Sequence, residues 1–117
     1  MIKNDLARSV ERFHKEFGLS PENQSRHLWL CLLAEELGEL TRAVLRDESK
    51  VAVEDELGDM VFVMEGFCRL FGCDLNAGIE RTIQKNDRKR RTSFSPAKSG
   101  KIRATQRHAG GKKQGRN

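Results

Sequence analysis

Two acidic clusters stand in mirror positions along the chain, Glu35-Glu36-Leu37-Gly38-Glu39 and Glu56-Leu57-Gly58-Asp59. The midpoint between Glu36 and Asp59 is also the midpoint between Glu39 and Glu56. That midpoint falls in Asp47-Glu48-Ser49-Lys50, a wholly polar run suited to a turn. With helices on both flanks, a hairpin folded there sets Glu36 opposite Asp59 and Glu39 opposite Glu56. Within each helix the paired acids are neighbours at i, i+3. At about 100° per residue, Glu35 lies roughly 40° from Glu39, and Asp55 flanks the second pair in the same way.

Facing carboxylates need a counter-charge. Packed helices lie roughly 8–10 Å apart, which lets carboxylates on facing positions approach to about 6 Å. At an effective dielectric of ~20, each like-charge pair at that distance costs roughly 2–3 kcal/mol. Several such pairs would consume much of the ~5–15 kcal/mol net stability of a small domain. A metal, a basic side chain or raised pKa values must relieve the repulsion. All-oxygen ligation suits a hard cation, Mg²⁺ or Mn²⁺. A di-iron bundle would need Glu-x-x-His pairs, and no histidine stands three residues after any of these acids. The bland alternative is a solvated acidic surface. Against it stand the interleaved Leu37, Leu40 and Leu57, together with Gly38 and Gly58. A mid-helix glycine costs roughly 1 kcal/mol relative to alanine, so two at matched places point to close helix approach or room for a ligand.

The elements that must hold these acids are four helices over residues 4–91. Asn4 or Asp5 caps the first, whose stripe of Leu6, Val10, Phe13 and Phe17 stops at Gly18. Ser20-Pro21 predicts the start of the second, which runs to about Arg46. Its expected buried face is Leu28, Leu32, Leu33, Leu37, Leu40 and Val44. A third helix spans about Val51 to Phe71 and ends at Gly72. Asp74 caps a fourth, from Leu75 to about Arg91. Short connections make neighbours antiparallel. In the third helix, Met60-Val61-Phe62-Val63-Met64 is apolar on every side and calls for burial all round. A homodimer interface supplies that burial; contact with the first and fourth helices is the alternative.

At 117 residues the chain has room for one core. No apolar run is long enough to span a bilayer, and the start lacks a secretory apolar core. Cys31, Cys68 and Cys73 are odd in number and lie in apolar segments, which predicts buried, reduced thiols in a cytoplasmic protein. The formal charge of +5 is unevenly spread. From Lys85 onward there are 12 Lys/Arg and one acid, a net of +11, which leaves −6 for residues 1–84. From Ser93 the composition is Ser-, Gly-, Lys- and Arg-rich with few apolar residues, too few to offset ordering entropy. The expected organisation is a helical domain over residues 1–92 and a basic, disordered tail over 93–117.

The spacing Glu35-Glu36-x-x-Glu39, sixteen residues, then Glu56-x-x-Asp59 resembles the signature of the MazG-like all-α nucleoside triphosphate pyrophosphohydrolases. The resemblance covers about residues 10–91. It extends to Phe71-Gly72-Cys73-Asp74-Leu75, similar to a conserved turn of that family, and to Lys85-Asn86-x-x-Lys89-Arg90, similar to its basic ending. Short single-domain members, dCTP pyrophosphatase-like proteins among them, are the most similar in style. The resemblance implies a four-helix MazG-like bundle with Glu36, Glu39, Glu56 and Asp59 as Mg²⁺ ligands. It implies Lys85 and Asn86 as contacts to phosphate or sugar, with Arg88, Lys89 or Arg90 as further phosphate contacts. Glu35 or Glu39 is the implied proton acceptor. His14 and Trp29 are candidates for framing the base, although aromatics at helical spacing are more often core.

The function so implied is Mg²⁺-dependent hydrolysis of a (d)NTP to (d)NMP and pyrophosphate, with Mn²⁺ as a substitute. A metal-activated water would attack in line at phosphorus. A homodimer or a dimer of dimers is the expected assembly. The rival reading is a non-catalytic MazG-like module that binds nucleotides or a partner. The tail offers charge with almost no aromatic interleaving, so any contact with nucleic acid would be weak, non-specific and salt-sensitive.

Overall fold

A computed structural model describes residues 4–91, 94–96 and 102–104. Four α-helices occupy the first of these stretches: α1 (Asn4–Phe17), α2 (Arg26–Leu45), α3 (Lys50–Phe71) and α4 (Leu75–Arg91). The chain divides into two compact units that part between Asn76 and Ala77, just inside α4.

In the first unit α2 and α3 form the predicted antiparallel hairpin, and α1 packs on α3. One device ends three of the helices. After α1, Leu19 N–H reaches the His14 carbonyl at 2.8 Å with Gly18 at φ 67°. After α3, Cys73 N–H reaches the Cys68 carbonyl at 2.9 Å with Gly72 at φ 75°. After α2, Glu48 N–H reaches the Ala43 carbonyl at 3.0 Å, and here the left-handed residue is Asp47 at φ 55°. These 6→1 bonds satisfy carbonyls that a helix end leaves open. Asp tolerates the left-handed region better than most L-residues. The Ser49 hydroxyl then accepts from Ala52 N–H at 3.1 Å and starts α3. The polar turn is therefore a stop signal followed at once by a start signal.

The start of α2 differs from the prediction. Ser20-Pro21-Glu22-Asn23 closes as an isolated turn, with Asn23 N–H on the Ser20 carbonyl at 3.1 Å. The Asn23 carboxamide takes the Ser20 N–H at 3.0 Å and donates to the Gly18 carbonyl at 2.8 Å. That side chain satisfies the backbone groups a helix would have used. Ser25 becomes the cap instead, accepting from Leu28 N–H at 3.1 Å.

The core of the first unit is small: Val10, His14, Trp29, Ala43, Gly66 and Leu70 are buried, with His14, Trp29 and Gly66 in mutual contact and Ala43 about 21 Å along α2 from Trp29. Two predicted stripes are thus corrected. Phe13 and Phe17 of α1 are exposed, stacked on each other at 4.6 Å, with Phe13 edge-on to Phe62 of α3 at 5.8 Å. On α2, Leu28, Leu37 and Val44 are exposed, while Leu32, Leu33 and Leu40 are half-buried. The buried positions there are Trp29 and Ala43. Met60 to Met64 are all half-buried, so a single chain covers the apolar middle of α3 only in part. The cysteines are not buried as expected: Cys31 and Cys73 are exposed, and Cys68 is half-buried. Cys73 follows the left-handed Gly72, where the chain has already left the helix.

In the second unit α4 runs as predicted. Phe94–Pro96 and Ile102–Ala104 pair antiparallel, Ser95 opposite Arg103. A two-stranded ribbon of this length is marginal in water. The expectation of a disordered tail otherwise falls on residues outside the described ones. Among the described residues no helix is long and apolar enough to cross a membrane.

Candidate metal centre

The hairpin brings Glu36 of α2 together with Glu56 and Asp59 of α3. One carboxylate oxygen from each lies within 4.8 Å of the other two. Glu36 and Glu56 are half-buried, and Asp59 is exposed. Glu36 is held above the usual carboxylate range by burial first, then by the charges of Asp59, Glu56, Glu39 and Glu35. Glu56 is raised by burial first, then by Asp59, Glu39, Glu48 and Asp55. No basic side chain is ion-paired to any of the three among the described residues. The relief that the sequence demanded is therefore a proton or a cation.

Glu39 stands slightly apart. One of its carboxylate oxygens accepts from the Arg42 guanidinium at 2.7 Å, one turn along the same helix. It still adds to the negative field on both Glu36 and Glu56. Glu35 is exposed beside the trio. Of the four expected ligands, three converge and the fourth is held by a cation. The Glu39-x-x-Arg42 spacing was readable in the sequence and was passed over.

The donor set fits a hard divalent ion. Around an octahedral Mg²⁺ at about 2.1 Å, adjacent oxygens are ~3 Å apart and opposite ones ~4.2 Å. The trio's separations, at most 4.8 Å, extend just above that range. Nothing soft is present: no thiol or imidazole joins the group.

Gly38 and Gly58 do not mark close packing. A Cβ at either would meet nothing within 4 Å, apart from its own helix. They leave open space beside the acids. The glycine that does mark close approach is Gly66, where a Cβ would lie 2.7 Å from Trp29 Cζ3 and 3.2 Å from His14 Nε2. The sequence reading missed it; a glycine two turns after the acidic cluster was its one trace.

His14 and Trp29 meet edge to face at 5.6 Å in the core. Trp29 Nε1–H donates to Gln24 Oε1 at 2.9 Å. His14 Nδ1 is buried without a partner, and burial, with Arg69 second, pushes the imidazole below its ordinary value. Trp29 precedes Glu36 by seven residues, so this layer lies about 10 Å along the helix from the acids. Trp29 also walls an apolar hollow of about 220 Å³ with Leu30, Leu33, Val63, Met64 and Phe67. Leu33 and Val63 are each one turn from Glu36 and Asp59, so the hollow begins next to the carboxylates.

Lys85, Asn86, Lys89 and Arg90 lie along α4 in the second unit, all exposed. The Asn86 amide donates to the Thr82 carbonyl at 3.0 Å, and Arg90 lies 3.8 Å from Asp87.

The profile of the MazG nucleotide pyrophosphohydrolase domain matches residues 24–94. No curated protein has a significant match to the sequence. Among solved structures, the chain is similar to a cyanophage S-2L MazG-like pyrophosphohydrolase bound to dGDP and three catalytic Mn²⁺ ions per active site. The TM-score is 0.57 at 20% identity, over 87% of this chain and 95% of the other. At that identity the likeness is one of fold.

Proposed function

The chain belongs to the MazG nucleotide pyrophosphohydrolase family and is an enzyme of that kind, and from that membership we propose that it hydrolyses a (d)NTP to (d)NMP and pyrophosphate with Mg²⁺ or Mn²⁺. The observation that carries the reading is the convergence of Glu36, Glu56 and Asp59 within 4.8 Å, where burial and the neighbouring carboxylates raise the pKa of Glu36 and Glu56. The S-2L protein, with its three catalytic Mn²⁺ ions per active site, supports the use of a divalent cation here.

Glu36, Glu56 and Asp59 would hold the ion, with Glu39 as a fourth ligand once Arg42 releases it. A bound divalent cation would neutralise triphosphate oxygens and lower the pKa of water. Glu35 or Glu39, outside the converged trio, would take the proton of the attacking water. As that water adds to phosphorus, the bond to the bridging oxygen breaks and pyrophosphate leaves. Lys85, Asn86, Lys89 and Arg90 are assigned to the substrate's phosphates and sugar, within a functional domain of residues 1–92. The apolar hollow beside the carboxylates, walled in part by Trp29, would take the base; His14, in edge contact with Trp29, would frame it through that ring.

The apolar surface supports self-association. Leu30, Leu37 and Val44 recur every seven residues along α2 and are 55%, 52% and 56% exposed. A heptad stripe left open on one chain suits a helical interface. A cytoplasmic homodimer, or a pair of such dimers, is the proposed form. Pyrophosphate release from a panel of (d)NTPs, with and without Mg²⁺, tests the activity. Turnover that persists in chelator, or in Glu39→Gln, overturns the reading.

A further inference from the structure

The chemistry above gives no task to Arg81, Gln84 or Arg91 of α4. At 100° per residue, Arg81, Gln84, Lys85, Arg88 and Arg91 fall within an arc of about 120°. Lys89, Asn86 and Arg90 turn away from that arc. Two shallow hollows open along the strip. One, of about 500 Å³, is lined by Arg81, Thr82, Gln84, Lys85 and Arg88. The other, of about 320 Å³, is lined by Gln84, Asp87, Arg88 and Arg91. Arg88 and Gln84 belong to both.

The cations of this strip lean on one another at i, i+4 and i, i+3, which is mildly destabilising. Among the described residues none of Arg81, Lys85, Arg88 or Arg91 has an ion-pair partner, and Asp87 at the edge is taken by Arg90 at 3.8 Å. The helix dipole favours bases in the last turn and so accounts for Arg88 and Arg91. It does not account for Arg81, nearly three turns earlier. The strip also does not stand alone: residues 77–117 carry 13 Lys/Arg against Glu80 and Asp87. The first unit, by contrast, is acidic.

We propose that this face of α4 binds the sugar–phosphate backbone of nucleic acid, a role separate from nucleotide hydrolysis. Arginine forks match phosphate oxygens in pairs, and Gln84 and Thr82 add neutral donors of the kind that contact backbone without reading sequence. No aromatic residue lies on α4 to stack a base, so binding is independent of sequence. A membrane surface fits less well. Beyond Leu75 the large apolar residues of α4 are Ile79 and Ile83 alone, too little for interfacial insertion.

The test is anisotropy of a labelled ~30-nucleotide strand, single or duplex, titrated with the full chain from about 50 to about 200 mM salt. The wild type should bind with a steep salt dependence. The double variant Arg81→Gln, Arg91→Gln should flatten the log–log slope by about 1.8 on duplex or about 1.4 on single strand. Its triphosphate hydrolysis should be unchanged, and the corresponding Arg→Lys pair should restore the slope. The proposal is overturned by absent binding at low salt, or by an unchanged slope in the glutamine variant. Equal binding to phosphatidylserine vesicles would overturn it as well.

Discussion

Glu36 on α2 and Asp59 on α3 present carboxylate oxygens within 4.8 Å of each other across the hairpin, and Asp59 is the strongest charge acting on Glu36. In the metal-free chain this proximity opposes folding. A carboxyl whose folded pKa is raised contributes stability that is full below its unfolded value of 4.5 and is lost as pH rises through the folded value. Glu36→Gln should therefore raise the metal-free unfolding temperature at neutral pH by a few degrees. That corresponds to about 1 kcal/mol, the upper end for charges open to solvent. The same variant should lose the upward shift that Mn²⁺ gives the wild type, and its turnover. Thermal unfolding in chelator and in Mn²⁺ checks both signs. A lower melting temperature in chelator would show that the acids do not repel.

The glycines separate open space from contact. Gly38→Ala and Gly58→Ala add a methyl that meets nothing within 4 Å. Each should stabilise the chain by about 0.5–1 kcal/mol through helix propensity. Gly66→Ala gains the same propensity but drives its Cβ to 2.7 Å from the Trp29 ring. Overpacking costs typically 1–3 kcal/mol, so a net loss is expected. Chemical denaturation of the three variants measures the ordering; a Gly66→Ala as stable as Gly38→Ala would remove the tight layer from the account.

Much of this was legible in the sequence, and the limits have physical causes. The helices, the turn at Asp47 and the mirror placement of acids follow from local rules: capping, apolar period, and the geometry of a hairpin. Three of the four proposed ligands meet accordingly. Glu39 does not join them, because its arginine partner is a local interaction that symmetry about the turn ignores. The apolar stripes misled for another reason. Leu37 and Val44 have the spacing of a core face, yet one chain has too few helices to cover them, and periodicity does not say which molecule does the covering. The buried His14 and the tight Gly66 depend on three helices meeting at once, which no local pattern encodes.

His14 gives a pH dependence of opposite sign to that of the acids. Its imidazole is buried, lacks a partner at Nδ1, and is pushed below 6.5 by burial and then by Arg69. Below 6.5 the unfolded chain takes up the proton first. Stability should therefore fall as pH drops from 6.5 through the lowered folded value. His14→Gln removes the titration and should flatten that part of the profile. Urea unfolding at a series of pH values, wild type against variant, isolates the term, since Glu36 and Glu56 are common to both. A difference between the two that does not change with pH would exclude this role for His14.

The exposed heptad on α2 makes the last prediction. Leu37 and Val44 are about half exposed on the single chain, and Leu30 continues their line. Burying such a stripe is worth ~25 cal/mol per Å² of apolar surface removed from water. A charge placed in it would have to be desolvated on association. Val44→Glu should therefore leave the fold of the chain intact, because the position faces solvent within one molecule. It should shift the mass from a multiple of 13.3 kDa to 13.3 kDa itself. Light scattering coupled to size exclusion reads the mass, and far-UV circular dichroism confirms retained helix. A monomeric wild type, or an assembly indifferent to the glutamate, would place the apolar stripe outside any self-association.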